Sequence, residues 1–423
     1  MIYSIAIAAV LACYTLLAWR NLRFALIALT GLLPIYLLRF TIGPVPSTAL
    51  EAIILITLVV WIMKGDAKKM VIELPQLPPF FMPALLLLAA ACFGVVVAPD
   101  VFGALGIWKA YFVEPLLVAV MMFAVLKKDD WTWIIRALAI SALVVSLVAI
   151  IQYFTGAGIP TPWDIERRVT GVFPYPNALG LYLVPIVTLL TVSLVSQLRG
   201  GVSRRRRDLP WDYLAALAIT SGLIAIILAK TEAALVAIPT ALLITFLMSH
   251  TRRTTKLRVA GEAILVVMIL FTFTPAVREK LLLQDYSGQV RLSQWSETTQ
   301  MLLDHPAFGA GLNAYPQTLA PYHDNTLYEI FQYPHNLFLN IWTELGLLGL
   351  IAFFWLAWLI IRTAVHGRLK SRPYVLALFA ALLAMTIHGL VDVPYFKNDL
   401  SVLTWILIVG LILQTQKPPR GNR

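Results

Sequence analysis

Long apolar runs, separated by short polar connections, constrain this chain more than any other feature of its sequence. Each run is long enough, or nearly so, to cross a bilayer as a helix of about 20 residues. The third and last runs are short, and Gly31 and Pro34 interrupt the second, so we predict 12 or 13 spans. The runs lie at about 2–18, 24–42, 49–63, 80–98, 108–126, 133–151, 178–195, 213–229, 233–248, 259–275, 337–361, 374–390 and 400–413.

Composition supports the same class. Hydrophobic residues make up 60% of the 423 residues and charged residues only 13%, whereas soluble domains average about 25% charged residues. Cys13 and Cys92 lie inside apolar runs, where they can build neither a disulfide framework nor a metal site. We therefore predict an all-α polytopic membrane protein, and we expect no metal and no cofactor.

The basic residues predict the orientation. Of the 33 Lys and Arg residues, 24 fall in alternate connections and 9 in the remaining ones. Because Lys and Arg accumulate on the cytoplasmic side, the richer set, which includes Arg204–Arg207, is predicted to be cytoplasmic. The C-terminus is then cytoplasmic, and with 13 spans the N-terminus lies outside. The net charge of +11 is thereby explained by topology, so we expect no nucleic-acid partner.

One connection is much longer than the others. Three regions follow from it: transmembrane helices 1–10 in residues 1–275, an extracytoplasmic loop of 60 residues at 276–335, and helices 11–13 with a cytoplasmic tail in 336–423. Loops of that length are usually functional. Within this one, a helix is expected to end at His305, directly before Pro306, with one face formed by Leu292, Trp295, Thr299 and Leu302.

Three outer-face segments place cations at the start of a membrane helix. They are Arg168 with Asn177 as a candidate N-cap, Lys230 in the turn between two spans, and His335 with Arg291 upstream in the same loop. Helix N-termini present unpaired N–H groups and a positive dipole end, so together they predict a site for a phosphate or diphosphate.

Each element also has a structural interpretation. The arginines could sit at the lipid headgroups, Lys230 could pair with Glu232, and His335 could be satisfied by a backbone group. A polar stripe at every fourth residue follows His335 and should face protein or water rather than lipid. It consists of Asn336, Asn340 and Glu344.

A second polar pair lies near the end of the twelfth run. His388 and Asp392 stand four residues apart, so on one helix face the carboxylate could hold the imidazole in a chosen tautomer. A structural pair that bridges two helices is the alternative. His305 is expected to be structural, as part of a helix stop and turn.

Taken in order, these motifs resemble one family. Arg168-x-x-Gly171-x-Phe173-x-x-Pro176-Asn177, Arg291-x-x-x-Trp295 leading to His305-Pro306-x-x-Gly309-x-Gly311, Pro334-His335-Asn336 and His388-x-x-x-Asp392 resemble the bacterial O-antigen ligase and polymerase superfamily. The resemblance spans about 165–400. It implies a GT-C-like glycosyltransferase of lipopolysaccharide or polysaccharide biosynthesis in the bacterial inner membrane. Such enzymes transfer a glycan from undecaprenyl diphosphate to an acceptor on the outer face, without metal.

The resemblance also implies residue roles. His335 matches the family's histidine, the proposed base for the acceptor hydroxyl, and Arg291 matches the arginine that contacts the donor diphosphate. The family usually has an arginine where this chain has Lys230, and lysine keeps the charge but loses the bidentate fork. Attack opposite the leaving diphosphate would invert the anomeric centre, and cations such as Arg168 would stabilise that leaving group.

Two alternatives remain open from the sequence. A polysaccharide polymerase would use the same donor and differ only in its acceptor. A lipid or glycolipid flippase would also use many helices and intramembrane polar residues. The crowding of polar groups at one long loop, together with the absence of a visible inverted repeat, favours the transferase. Membrane lipids are expected partners in every case.

Overall fold

A computed structural model describes residues 2–43, 45–65, 78–199, 209–249, 252–324, 327–366 and 373–415. The predicted cytoplasmic run Arg204–Arg207 and the tail after residue 415 lie outside the described residues. The helices are α1 (Ile2–Arg20), α2 (Leu22–Gly31), α3 (Ala49–Met63), α4 (Phe81–Val97), α5 (Val101–Trp108), α6 (Glu114–Val125), α7 (Trp131–Thr155), α8 (Pro176–Arg199), α9 (Leu209–Leu228), α10 (Glu232–Met248), α11 (Arg253–Phe273), α12 (Pro275–Leu281), α13 (Tyr286–Asp304), α14 (Tyr315–Leu319), α15 (Leu337–His366), α16 (Pro373–His388) and α17 (Asn398–Thr415).

The predicted all-α membrane architecture is confirmed. Helix accounts for 78% of the structure and strand for 2%. Six helical stretches are long and apolar enough to cross a membrane, and six further apolar helices have 10–17 residues. A π-helical turn at Lys109–Val113 joins α5 and α6 into one continuous span. Each of the 13 apolar runs contains a helix.

The second run is broken, as its Gly31 and Pro34 suggested. Helix α2 ends at Gly31 and gives way to a 3₁₀ helix at Leu33–Leu37, because proline lacks the N–H that a continuing helix requires. The chain then forms a hairpin, in which β1 (Arg39–Ile42) pairs antiparallel with β2 (Val45–Thr48). The sequence analysis missed this hairpin because its first strand lies inside the apolar run.

Helices α8 and α17 form the centre of the bundle. In each, 83% of the most apolar stretch is buried. Helix α8 packs against α9 and α16, and α17 packs against α6 and α16. Tyr182 of α8 is fully buried, and its hydroxyl lies 2.7 Å from that of Ser141 on α7. The site described below lies at the end of the bundle where α8, α10 and α15 begin.

The long connection between α11 and α15 is folded. Helix α13 ends at Asp304, with His305 as its capping residue, as Pro306 predicted. Its buried side differs from the predicted apolar stripe, because Leu292 is exposed. The buried side combines polar and apolar residues, namely Gly288, Val290, Gln294, Glu297, Thr298, Met301 and Leu302.

A turn after α13 docks this connection onto α15. Gly309 has φ +66°, and a Cβ atom there would lie 2.3 Å from the carbonyl oxygen of Thr343. Only glycine permits such an approach. The same oxygen accepts hydrogen bonds from the backbone N–H groups of Ala310 (2.8 Å) and Gly311 (3.2 Å). It is available because Gly346 interrupts the helical backbone at φ 65°.

Candidate functional site

His335 is held in an unusual backbone conformation directly before α15. Its φ is 47°, a left-handed value that is uncommon outside glycine and that concentrates at functional sites. On one side, the Pro334 carbonyl accepts a hydrogen bond from the indole of Trp295 (2.7 Å). On the other side, Asn336 Oδ1 accepts from the backbone N–H of Leu339 (3.1 Å) and caps the helix. The position of His335 is therefore fixed from both directions.

The segment Gly389–Val391, which follows α16, joins three elements of the site. Its successive carbonyl oxygens accept hydrogen bonds from the backbone N–H of Leu337 (2.7 Å), from Asn336 Nδ2 (3.0 Å) and from Arg291 Nε (3.2 Å). These three bonds bring α13 and the start of α15 to the end of α16.

The His335 ring lies against the next residue of that segment, Asp392. The distance from Nδ1 to Oδ1 is 3.6 Å, and the two side chains are 18% and 3% exposed. Phe331 and Tyr333 contact the imidazole, with ring centroids at 5.0 and 4.6 Å. Burial opposes ionisation of the Asp392 carboxyl, but His335 and the Lys397 ammonium hold its pKa well below the usual range. Asp392 is therefore an anion beside the imidazole.

This arrangement corrects the predicted pairing of His388 with Asp392 on one helix face. Helix α16 ends at His388, so the spacing of four residues no longer places the two side chains on one face. His388 is 1% exposed, and neither of its ring nitrogens has a hydrogen-bond partner among the described residues. Asp392 turns instead to His335.

Arg291 reaches the same segment from α13. Its Nε donates to the Val391 carbonyl, and its Nη1 donates to the carbonyl (3.3 Å) and hydroxyl oxygens of Ser287. The structure therefore brings Arg291, His335 and Asp392 together around one short stretch of backbone.

Lys230 and Arg168 form a second group. Lys230 lies in the turn between α9 and α10 with φ 52°, and its Nζ is 3.5 Å from Glu166 Oε2. Arg168 Nε donates to the Ala229 carbonyl (3.2 Å), and its guanidinium lies 4.9 Å from the Trp163 ring centroid. Both side chains of the Lys230–Glu166 pair are more than half exposed, so this group forms an accessible rim.

Lys230 does not use the partner that the sequence suggested. Glu232 instead forms an ion pair with Lys280, which also lies 3.8 Å from Asp285, the capping residue of α13. Among the described residues, no hydrogen bond or ion pair joins Arg291 directly to Lys230. The contacts of Lys280 with Glu232 and with Asp285 therefore link the turn that holds Lys230 to the start of α13, the helix that carries Arg291.

The predicted helix cap at Asn177 is wrong. Helix α8 begins at Pro176, so Asn177 is its second residue, because the fixed φ of proline suits the first helical position. The Pro176 carbonyl accepts a hydrogen bond from Thr231 Oγ1 (3.3 Å), which joins α8 to the turn that holds Lys230.

The stripe on α15 faces protein, as expected of polar residues within a membrane helix. Asn340 and Glu344 are 1% and 6% exposed. Glu344 Oε2 accepts from the backbone N–H of Asn313 (2.8 Å), so it anchors the turn after α13. Asn340 Oδ1 has no partner among the described residues. Asn336, the first of the three, is the helix cap.

Three further residues complete the site and were missed as site residues. Lys397, directly before α17, contacts the Tyr175 hydroxyl and lies 4.2 Å from its ring centroid. Tyr175 is also close to Tyr333, whose pKa is raised by burial, then by Asp392 and then by Tyr175. Lys397 and Tyr175 are 222 positions apart, and no spacing rule pairs residues so distant. The only signal was the position of Lys397 in a short loop rich in polar residues.

No group of side chains in the described part of the chain competes with this arrangement as a metal site. No group of three or more His, Cys, Asp or Glu side chains there could hold a metal ion. A cavity of about 250 Å³ lies between α4, α6 and α17. Its lining is almost wholly apolar and includes Leu85, Leu116 and Ile408. It therefore suits a hydrocarbon chain rather than a polar substrate.

A family model described as O-Antigen ligase matches residues 215–354. The matched region runs from α9 into α15 and includes Lys230, Arg291 and His335, whereas Arg168 and Asp392 lie outside it. The match covers about a third of the chain and supports the superfamily that the sequence motifs indicated. No curated protein matches the chain.

Proposed function

We propose that this chain transfers a glycan between membrane-bound substrates, as the match of residues 215–354 to the O-antigen ligase family model supports. The proposed donor is a glycan on undecaprenyl diphosphate, and the acceptor is a hydroxyl group of a lipid- or glycan-linked sugar. Transfer takes place on the outer face of the bacterial inner membrane, with inversion at the anomeric carbon.

The proposal rests on the proximity of the Asp392 carboxylate to His335 Nδ1, 3.6 Å away, an atom that has no hydrogen-bond partner among the described residues. A carboxylate beside Nδ1 favours the tautomer with its proton on Nδ1 and leaves the lone pair on Nε2. The neutral ring can then accept the proton of an acceptor hydroxyl, a contribution of typically about 10²–10⁴-fold to the rate. Asp392 would further stabilise the imidazolium that results.

In the proposed reaction, the acceptor oxygen forms a bond to the anomeric carbon as its proton passes to His335. The bond between that carbon and the diphosphate oxygen breaks, and the electron pair leaves with the lipid diphosphate. Arg291 stabilises the charge that develops on this leaving group. Lys230 and Arg168, on the accessible rim, attract the same anion, and His335 then returns its proton to water.

The two alternatives are separated by their products. A polymerase would join repeat units to a growing chain and a ligase would transfer a finished glycan to a lipid core, while a flippase would break no bond. His335 lies within the matched region, and Asp392, which packs against it, lies outside that region. A histidine packed against a carboxylate favours bond-breaking chemistry over transport.

The experiment is incubation of the purified protein, in lipid nanodiscs, with a glycan on undecaprenyl diphosphate and a panel of acceptors. We expect a glycosylated acceptor and one equivalent of released lipid diphosphate, in the presence of a chelator. Donor that stays intact with every acceptor, including its own repeat unit, would contradict the proposal.

A further inference from the structure

We propose that Lys397 is a diphosphate-binding residue of this site, in addition to Arg291. The inference rests on the proposed function and deepens it, because it assigns a new contact to the same leaving group. It rests on the position of Lys397 and on the fact that its ammonium group forms no ion pair with a carboxylate among the described residues.

Lys397 differs from the other lysines at this end of the bundle. Lys230 pairs with Glu166 and Lys280 pairs with Glu232, so each has a carboxylate that neutralises it. Among the described residues, Lys397 forms no ion pair, although the buried carboxylates of Asp392 and Asp399 lie within reach of its charge. Its ammonium contacts the Tyr175 hydroxyl instead.

Tyr175 holds this ammonium at the reacting centre. Lys397 lies over the Tyr175 ring, 4.2 Å from its centroid, where the π face attracts a cation. Tyr175 is close enough to Tyr333 to raise its pKa, and the Tyr333 ring lies 4.6 Å from that of His335. The lysine is therefore connected to the proposed base through two aromatic side chains.

The effect of Lys397 on Asp392 also places its charge close to the proposed reaction centre. The positive charge of Lys397 lowers the pKa of Asp392, together with the larger effect of His335. Two cations, Arg291 through its bond to the Val391 carbonyl and Lys397 through its charge, thus act on the segment that holds Asp392. Bond cleavage creates a diphosphate anion at this place, and charged hydrogen bonds to such an anion are about twice as strong as neutral ones.

The test measures binding of undecaprenyl diphosphate, with undecaprenol as the uncharged probe, to the full-length protein in nanodiscs. Lys397→Met removes the charge and keeps the length of the side chain, and Lys397→Arg keeps the charge. Lys128→Met, which removes an exposed lysine at the opposite end of the bundle, is the matched control. We expect Lys397→Met to weaken diphosphate binding about tenfold or more, with undecaprenol binding unchanged, and Lys397→Arg to retain most of the affinity.

Three results would overturn the inference. Diphosphate binding by Lys397→Met that matches wild type is one, and an equal loss for both probes, which signals a structural role, is another. The third is displacement of undecaprenyl diphosphate by phosphatidylglycerol at equal concentration, since the site would then be a general headgroup site. If wild type binds diphosphate through Lys397 but transfers no glycan, only the proposed function fails.

Discussion

Asp392 sets the chemistry of His335 at the scale of single residues. The carboxylate is 3% exposed and anionic, and it lies where it can orient the imidazole. An orienting carboxylate matters most as the imidazole takes up the proton, because the positive charge that develops in the transition state lies beside it.

Asp392→Asn is therefore expected to lower kcat by roughly 10²-fold or more, because an amide neither fixes the tautomer nor stabilises the imidazolium. The KM for the lipid diphosphate donor should change little. Steady-state transfer kinetics of the purified variant would measure both. A variant with unchanged kcat and a raised KM would show that Asp392 supports donor binding instead.

The sequence predicts individual residues of the site better than their pairing. His335 and Arg291 could be assigned because they stand in order within recognisable motifs. The pairing of Asp392 with His335 could not, because it depends on α16 ending at His388. Lys397 and Tyr175 escaped for a similar reason, since only the folded bundle brings them together.

At the scale of elements, the part of the long connection that follows α14 is held onto α13 by a side-chain hydrogen bond. His323 Nδ1 lies 3.0 Å from Glu297 Oε2, and His323 Nε2 lies 2.9 Å from the Tyr328 carbonyl. The hydrogen bond to Glu297 raises the pKa of His323, and the nearby Asp324 adds to the effect. The segment that the His323–Glu297 pair holds in place continues along the chain to His335.

The raised pKa fixes the sign of a pH dependence. Protonated His323 is favoured in the folded loop, so the stabilisation is fully present below the unfolded pKa of about 6.5. It is lost as the pH rises through the higher folded value. Hydrogen exchange of residues 306–330, corrected for intrinsic rates, should show less protection at high pH than at low pH.

His323→Gln is the control for the His323–Glu297 pair. Glutamine can still donate to Glu297 but does not titrate in this range, so the corrected exchange of the variant should not depend on pH. The same pH dependence in wild type and variant would show that another group causes it.

Elements of the bundle follow from the sequence to different degrees. The apolar runs locate the membrane helices, since backbone groups in hydrocarbon must bond within a helix. Pro306 correctly places the end of α13. The β1–β2 hairpin and the docking of the turn at Gly309 onto Thr343 depend on tertiary contacts, which no local pattern encodes.

For the whole molecule, the orientation in the membrane remains a prediction from the charge distribution, 24 basic residues against 9. A cysteine introduced at Gln289, which is exposed on α13, should react with an impermeant maleimide in intact spheroplasts. A cysteine at Ser203, in the predicted cytoplasmic connection, should react only after permeabilisation. Cys13 and Cys92 are replaced by alanine beforehand. The reverse labelling pattern would place the site on the cytoplasmic face and contradict the proposed reaction.

The central claim is that the assembled site uses His335 as a base rather than as a ligand of the diphosphate. The most direct measurement compares glycan transfer and donor binding by wild type and His335→Ala in the same nanodiscs, with a non-hydrolysable donor analogue for the binding step. The account predicts that transfer falls by roughly 10²–10⁴-fold while the affinity for the analogue stays within about twofold. A loss of affinity in proportion to the loss of transfer would contradict it.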